Sequence, residues 1–244
     1  MIDWLRRDNA EPQIAIAGRQ LPIIIRRHAR ARRLTMRVAP DGSALRVTIP
    51  QWGQSRDALA FANARREWIA TQLAKVPQAR RIVPLARIPY RGREITIAWG
   101  ANAPRKPHLV GDALVVGGPV DTLEGRVRRW LENEAFATAA RDLVHYCERS
   151  EVPLPDLRLS RAQRRWGSCS GRPGGARCVR INWRLIMAPD HVRRSVVAHE
   201  VAHLTHFDHS AQFHALLRRI FDDDLAGADR WLKEQGRSLY AICP

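Results

Sequence analysis

Three histidines and one glutamate in the C-terminal third of this 244-residue chain have the types and spacing of a metal-assisted hydrolytic site. His199-Glu200-Val201-Ala202-His203 is followed six residues later by His209, giving the form H-E-x-x-H-x₅-H. On a helix over residues 190–206, His199 and His203 stand at i and i+4, so both imidazoles leave one face a turn apart. That separation suits two nitrogens meeting one zinc ion at ~2.0–2.1 Å each. Glu200 lies about 100° further round the helix and cannot be a third ligand from that stripe. It can stand beside the ion and accept a proton from the attacking water. His209 falls just past the helix end, where the chain can turn back and supply a third nitrogen. Three protein ligands with an open fourth position is the catalytic form of a zinc site.

The elements around these residues favour that chemistry over an ordinary charged helix. Ala188-Pro189-Asp190 is a helix start, with proline near the first turn and an acid that suits the helix dipole. Val192, Val196, Val197, Val201, Ala202 and Leu204 give the helix apolar surface on more than one side, which predicts burial. A buried helix does not carry two histidines and a glutamate without partners for them. Ser210 is placed to cap the next helix, whose Phe213, Leu216, Leu217 and Ile220 recur at i, i+3, i+4 and i+7. Upstream, Asp121 with Glu124 reads as a capping-box-like start to a long helix reaching about Arg149. Pro153 and Pro155 break it, and Leu157–Ser160 opens a small antiparallel sheet. In that sheet Trp166–Cys169 makes a turn and Arg177–Trp183 the returning strand. Ser170-Gly171-Arg172-Pro173-Gly174-Gly175 is a loop, and the Cys169 and Cys178 that flank it read as free thiols. Acidic Asp222-Asp223-Asp224 precedes a last helix over about 225–236.

Three runs together carry a family resemblance: Arg165-Trp166-Gly167-Ser168-Cys169-Ser170, Arg180-Ile181-Asn182-Trp183-Arg184-Leu185, and His199–His203 with His209-Ser210. In this order and spacing, over roughly residues 120–237, the chain resembles the YgjP-like metallopeptidase family. It is similar, more distantly, to the SprT-like and WLM proteases. The resemblance implies a zinc-dependent peptidase with a minimal gluzincin-type domain, one Zn2+ per chain on His199, His203 and His209, and Glu200 as general base. Arg165, Trp166 and Ser168, with the backbone N–H groups of their turn, are candidates to stabilise the oxyanion or hold substrate. Two positions depart from the family pattern: Asp208 stands where Asn is frequent, and His214 follows Phe213 where Trp is usual.

Residues 1–117 read as a mostly β region with one helix over about 55–76, and residues 118–244 as the zinc domain, an α+β architecture overall. Gln13–Gly18, Leu21–Arg27, Arg33–Val38 and Leu45–Ile49 are β-rich pieces. Ser55 is a candidate cap for the helix, and Leu59, Ala62, Arg66, Ile69 and Leu73 follow at helical intervals. Further β-like pieces follow at Ile88–Arg91, Arg93–Trp99, Pro107–Val110 and Ala113–Val116, with hairpin turns at Tyr90–Arg93 and Val110–Asp112. No apolar run approaches 18 residues, and Met1-Ile2-Asp3-Trp4-Leu5-Arg6 lacks a signal-peptide core, so the expected address is cytoplasmic with no membrane partner. The net charge of +17 makes nucleic acid a candidate partner. It is not the favoured one, because the arginines are spread along the chain and only three of the 41 basic residues are lysine. The expected substrate is a protein or peptide. Alternatives are a nucleic-acid-associated protease or DNA-binding protein acting on DNA-bound proteins, and a zinc hydrolase of a non-peptide bond.

Overall fold

Alternating apolar and polar residues build two sheets of the same design, one in each of two compact units. The computed structural model describes residues 12–39, 41–76, 78, 80–171 and 175–243, and the units are Met1–Pro77 and Gln78–Pro244. In the first, β1 (Gln13–Ile16), β2 (Arg19–His28), β3 (Thr35–Val38) and β4 (Leu45–Pro50) form a sheet in the order β1-β2-β4-β3. The inward residues Ile14, Ile16, Leu21, Ile23, Leu45, Val47 and Ile49 form one buried cluster with Ala58, Ala62 and Ile69. Those last three lie on α1 (Ser55–Asn63) and α2 (Arg66–Ala74). The single helix expected over 55–76 is thus two. Arg65 leaves helical geometry at φ −124°, ψ 28°, and α2 starts afresh. Nor does Ser55 cap α1: Gln54 is the cap, in a reciprocal box with Asp57.

The second unit repeats the strand order. β5 (Arg87–Tyr90), β6 (Arg93–Gly100), β7 (His108–Val110) and β8 (Ala113–Gly117) assemble as β5-β6-β8-β7. As in the first sheet, the outer pairs are antiparallel and the central pair parallel. Both first hairpins turn through two consecutive positive-φ residues, Ala17 (50°) and Gly18 (76°) in one and Arg91 (51°) and Gly92 (78°) in the other. That is the requirement of a type I′ turn, whose twist matches the strands it joins. Ile88, Ile95, Ile97, Leu114 and Val116 share one core with Leu123, Val127 and Leu131. For that reason the division between compact units falls at Pro77–Gln78, ahead of the boundary at 117/118 expected from the sequence.

The long helix α3 (Leu123–Ser150) follows a short 3-10 turn, Val120–Thr122, and has no side-chain cap, so the Asp121/Glu124 box does not form. Then come β9 (Asp156–Ser160), β10 (Gly167–Gly171) and β11 (Arg177–Asn182), in the order β10-β11-β9. This sheet is mixed, not antiparallel: β11 pairs antiparallel with β10 and parallel with β9. Residues 161–166 carry the chain across the end of the sheet, so β10 returns on the far edge and β11 fills the middle. Residues 167–169, expected in a turn, therefore belong to an edge strand. Its register sets Cys169 opposite Val179 and Ser170 opposite Cys178. Side chains alternate faces along a strand, so the two cysteines point to opposite faces and stay free thiols. Residues 172–174 of the expected loop lie outside the described residues, as does the N-terminal Met1–Arg6 run.

Three helices complete the unit: α4 (Asp190–Ala202), α5 (Ala211–Ile220) and α6 (Leu225–Glu234). Ser210 accepts a hydrogen bond from the Phe213 N–H and caps α5, and Asp224 does the same for α6 through Gly227. The start of α4 is anchored by charge. Arg91, at the β5–β6 hairpin tip, donates to both oxygens of Asp190. Arg193, only 4% exposed, donates to Asp142 at 2.7 Å and also to Asp190. Burial alone would raise the Asp190 pKa, but the bonds from Arg91 and Arg193 outweigh it and hold the carboxyl below its usual range. Folding lowers this pKa, so the stabilisation is present above the free-carboxylate value of ~3.9 and is lost as pH falls through the lower folded value. The stability difference between wild type and Asp190→Asn should therefore be constant near neutrality and shrink below about pH 4 in urea titrations. At neutral pH, Asp142→Ala should cost roughly 3 kcal/mol, because it strips a buried guanidinium of a partner. No helix among the described residues is long and apolar enough to cross a membrane.

Candidate metal centre and cleft

α4 presents His199 a turn from its end and His203 at its C-cap. The amides of Leu204, Thr205 and His206 still bond back to Val201 and Ala202, winding the chain tightly before it turns to His209. One nitrogen from each of His199, His203 and His209 lies within 4.8 Å of the others. The Nε2 atoms of His203 and His209 stand 3.2 and 3.3 Å from that of His199. Three lone pairs facing one point at such separations fit a metal ion and little else. The tautomer of His203 agrees with this: its Nδ1 lies 2.9 Å from the His206 carbonyl, which can only accept. Nδ1 thus carries the proton and Nε2 is free to bind metal. Burial, then the neighbouring imidazoles, push the His199 pKa down to about 4, so the ring is neutral at pH 7, the form that metal binding requires.

Phe213 is the floor of the cluster. Its ring is fully buried and its centroid stands 5.0, 4.5 and 4.9 Å from those of His199, His203 and His209. The Ser210 cap fixes where α5 begins and hence where Phe213 meets the rings. Asp208 holds the preceding turn by accepting from the Ser210 N–H. An asparagine side-chain oxygen could accept the same bond, which accounts for the departure at this position.

Glu200 points from α4 into the start of β10. Its carboxyl is buried, 5% exposed. Burial pushes its pKa up to about 7, against the lowering effects of a hydrogen bond from the Cys169 N–H and the charge of Arg165. Gly167 makes the space: a Cβ there would lie 2.4 Å from Glu200 Oε1 and 2.8 Å from its Cδ. No side chain fits without moving the carboxylate. Gly167→Ala is expected to lower any Glu200-dependent turnover by ~10²-fold, the cost of a misplacement of about 1 Å, with metal content unchanged.

The loop before β10 is set by Asn182, fully buried at the end of β11. Its side-chain amide donates to the Ala162 and Arg165 carbonyls, at 2.7 and 3.2 Å, and its oxygen accepts from the Arg184 N–H. Its own N–H donates to the Trp166 carbonyl at 2.7 Å. Trp166 packs on Tyr240, ring centroids 5.4 Å apart. Asn182→Ala should remove the amide bonds to both carbonyls, leaving Ala162 only the Tyr240 hydroxyl, and destabilise the fold by ~1–3 kcal/mol, visible as a lower melting temperature.

A cleft of about 810 Å³ opens beside Glu200 and His199, and Arg165, Trp166 and Gly167 also border it. Of the sequence candidates for substrate contact, the structure thus brings Arg165 and Trp166 to the cleft. Ser168 does not line it; alternation along β10 puts its side chain on the face opposite Cys169, with Arg180, which bonds Ser170 Oγ. The His206 carbonyl and the Cys169 N–H carry no signal in a sequence, since any residue supplies them. Gly167 and Asn182 were visible only as members of the quoted runs, without their roles.

A trio of converging imidazoles, a buried acid and an open cleft on an α+β frame is the equipment of a metal-dependent hydrolase. The family model for the YgjP-like metallopeptidase domain matches residues 32–235. The chain therefore belongs to the YgjP-like family, whose metallopeptidase domain makes it a metal-dependent peptidase. No curated protein and no solved structure matches it.

Proposed function

We propose that the chain is a zinc-dependent peptidase of the minimal gluzincin type, with His199, His203 and His209 as zinc ligands and Glu200 as general base. The observation that carries this reading is the convergence of the three nitrogens beside the same cleft that Glu200 borders. Three imidazoles suit zinc among the common ions. When bound, the ion would act as a Lewis acid toward the scissile carbonyl and the attacking water. Glu200 accepts the water proton and passes it to the leaving amine. Burial raises the affinity of this carboxyl for a proton, which favours its taking one from water. Arg165, exposed at the cleft and close enough to act on Glu200 electrostatically, can stabilise developing negative charge. The open edge of β10 can hold an extended peptide by main-chain bonds. The test is cleavage of an unfolded peptide pool by the purified protein, abolished by a chelator and restored by zinc. Robust cleavage in the chelator rules the reading out.

A second reading, a protease directed to nucleic-acid-bound proteins, draws on one feature of the first unit. Arg26, Arg37 and Arg46 are exposed on the sheet face away from the helices, with Arg37 opposite Arg46 across β3 and β4. If that face meets phosphates, binding of duplex DNA should weaken steeply with salt, and the triple substitution to Gln should reduce the log–log slope by about 3. A slope unchanged by the substitution removes the reading.

A further inference from the structure

The cleft beside Glu200 is larger than proton transfer and carbonyl activation need. At about 810 Å³ it falls within the ~300–1,000 Å³ of sites that enclose a ligand group. Its surface is hydrocarbon: Val196 and Leu217 are buried at its base, and Trp166, Leu225 and Leu232 add further apolar lining. Val196 stands one turn before His199 and Glu200 on α4, so the apolar base runs directly up to the reacting groups. Besides Glu200, which the reaction uses, the charged residues that border the cleft are Arg165, Arg218 and Asp229, all exposed and of mixed sign. A charged guest group would lose its water against that apolar base. A bulky aliphatic or aromatic group would gain from burial.

The strand beside the cleft gives the direction. β10 is an edge strand, and the cleft lies at its Gly167 end, next to Arg165 and Trp166. A peptide adding antiparallel to β10 runs from the Gly171 end towards Gly167. With the scissile bond at the histidines and Glu200, the residues on the leaving-amine side are the ones that reach the cleft. We infer that this cleft receives a bulky apolar side chain from the residue following the scissile bond and sets the cleavage preference. The inference rests on the peptide-hydrolysis reading of the same site.

The test uses the full-length, zinc-replete protein and a peptide pool whose cleavage sites are read by mass spectrometry. Peptides with Leu or Phe after the scissile bond should be cut at least ~100-fold more efficiently than those with Ala or Gly, since one methylene in such a pocket is worth ~10–200-fold. Ala226 borders the cleft and is exposed, so Ala226→Trp fills the cleft without touching the core. An unchanged melting temperature confirms that it folds. In Ala226→Trp the preference should move to Gly and Ala, with Leu and Phe peptides cut ~100-fold less well. Calorimetry on Glu200→Gln, with and without Ala226→Trp, should show the same loss of affinity for Leu and Phe peptides. Cleavage spread evenly over all residues after the bond overturns the inference while the peptidase reading stands. So does a preference set by the residue before the bond, or one that Ala226→Trp leaves unmoved. No cleavage of any peptide by the zinc-loaded protein sinks both.

Discussion

Glu200→Gln should bind metal as wild type does and lose about 10²–10⁴-fold of peptide-bond cleavage, the usual worth of a positioned general base. The two side chains have nearly the same shape, so the space that Gly167 leaves for the carboxyl accepts the amide. The Cys169 N–H can still donate to the amide oxygen. What the variant cannot do is accept a proton. Stopped assays of kcat and KM separate this from a packing defect, because loss of the base falls on kcat while KM stays near the wild-type value. A variant that keeps wild-type kcat would show that another group removes the proton.

The second large effect is expected at Phe213, which no proton or metal touches. Phe213→Ala should cost about 3–5 kcal/mol of stability, the range for emptying a large aromatic site in a core. Its ring is fully buried and stands within about 5 Å, centroid to centroid, of all three imidazoles. The void would therefore open beneath the three histidines. Metal affinity should fall ~10–100-fold, as when groups supporting metal ligands are removed. Phe213→Leu, which keeps most of the volume, should recover the greater part of the stability. Urea melts of the metal-free proteins measure the first effect, and competition with a chelator of known affinity measures the second. Equal metal affinity in wild type and Phe213→Ala would mean that α4 and the turn to His209 hold the ligands unaided.

The site was more legible than the frame that carries it. The i, i+4 spacing of His199 and His203 is a property of any α-helix, and the apolar positions around them announced a buried one. The cap at Ser210 and the apolar stripe of α5 were also readable, because both are local. Pairing was not. β9 lies parallel to β11 because the chain crosses the sheet end at 161–166, a non-local choice that alternation within each strand does not encode. The same limit hid the kinship of the two four-stranded sheets: they share only alternate apolar positions and a two-residue turn, Ala17-Gly18 in one and Arg91-Gly92 in the other. The division at Pro77–Gln78 was missed for a related reason. β5–β8 read like more of the β-rich start, but their inward residues bury against α3, which follows them in sequence. In the cleft, Leu217, Leu225 and Leu232 look like ordinary helix-face residues until α5 and α6 are placed beside β10.

The most direct test of the metal centre is zinc stoichiometry in purified wild type, Glu200→Gln and His203→Ala, measured after zinc loading and exhaustive dialysis. One equivalent in wild type and Glu200→Gln, and a loss in His203→Ala whose circular dichroism matches wild type, is the expected result. No retained zinc in wild type, or a full equivalent in His203→Ala, would contradict a site built on the three histidines.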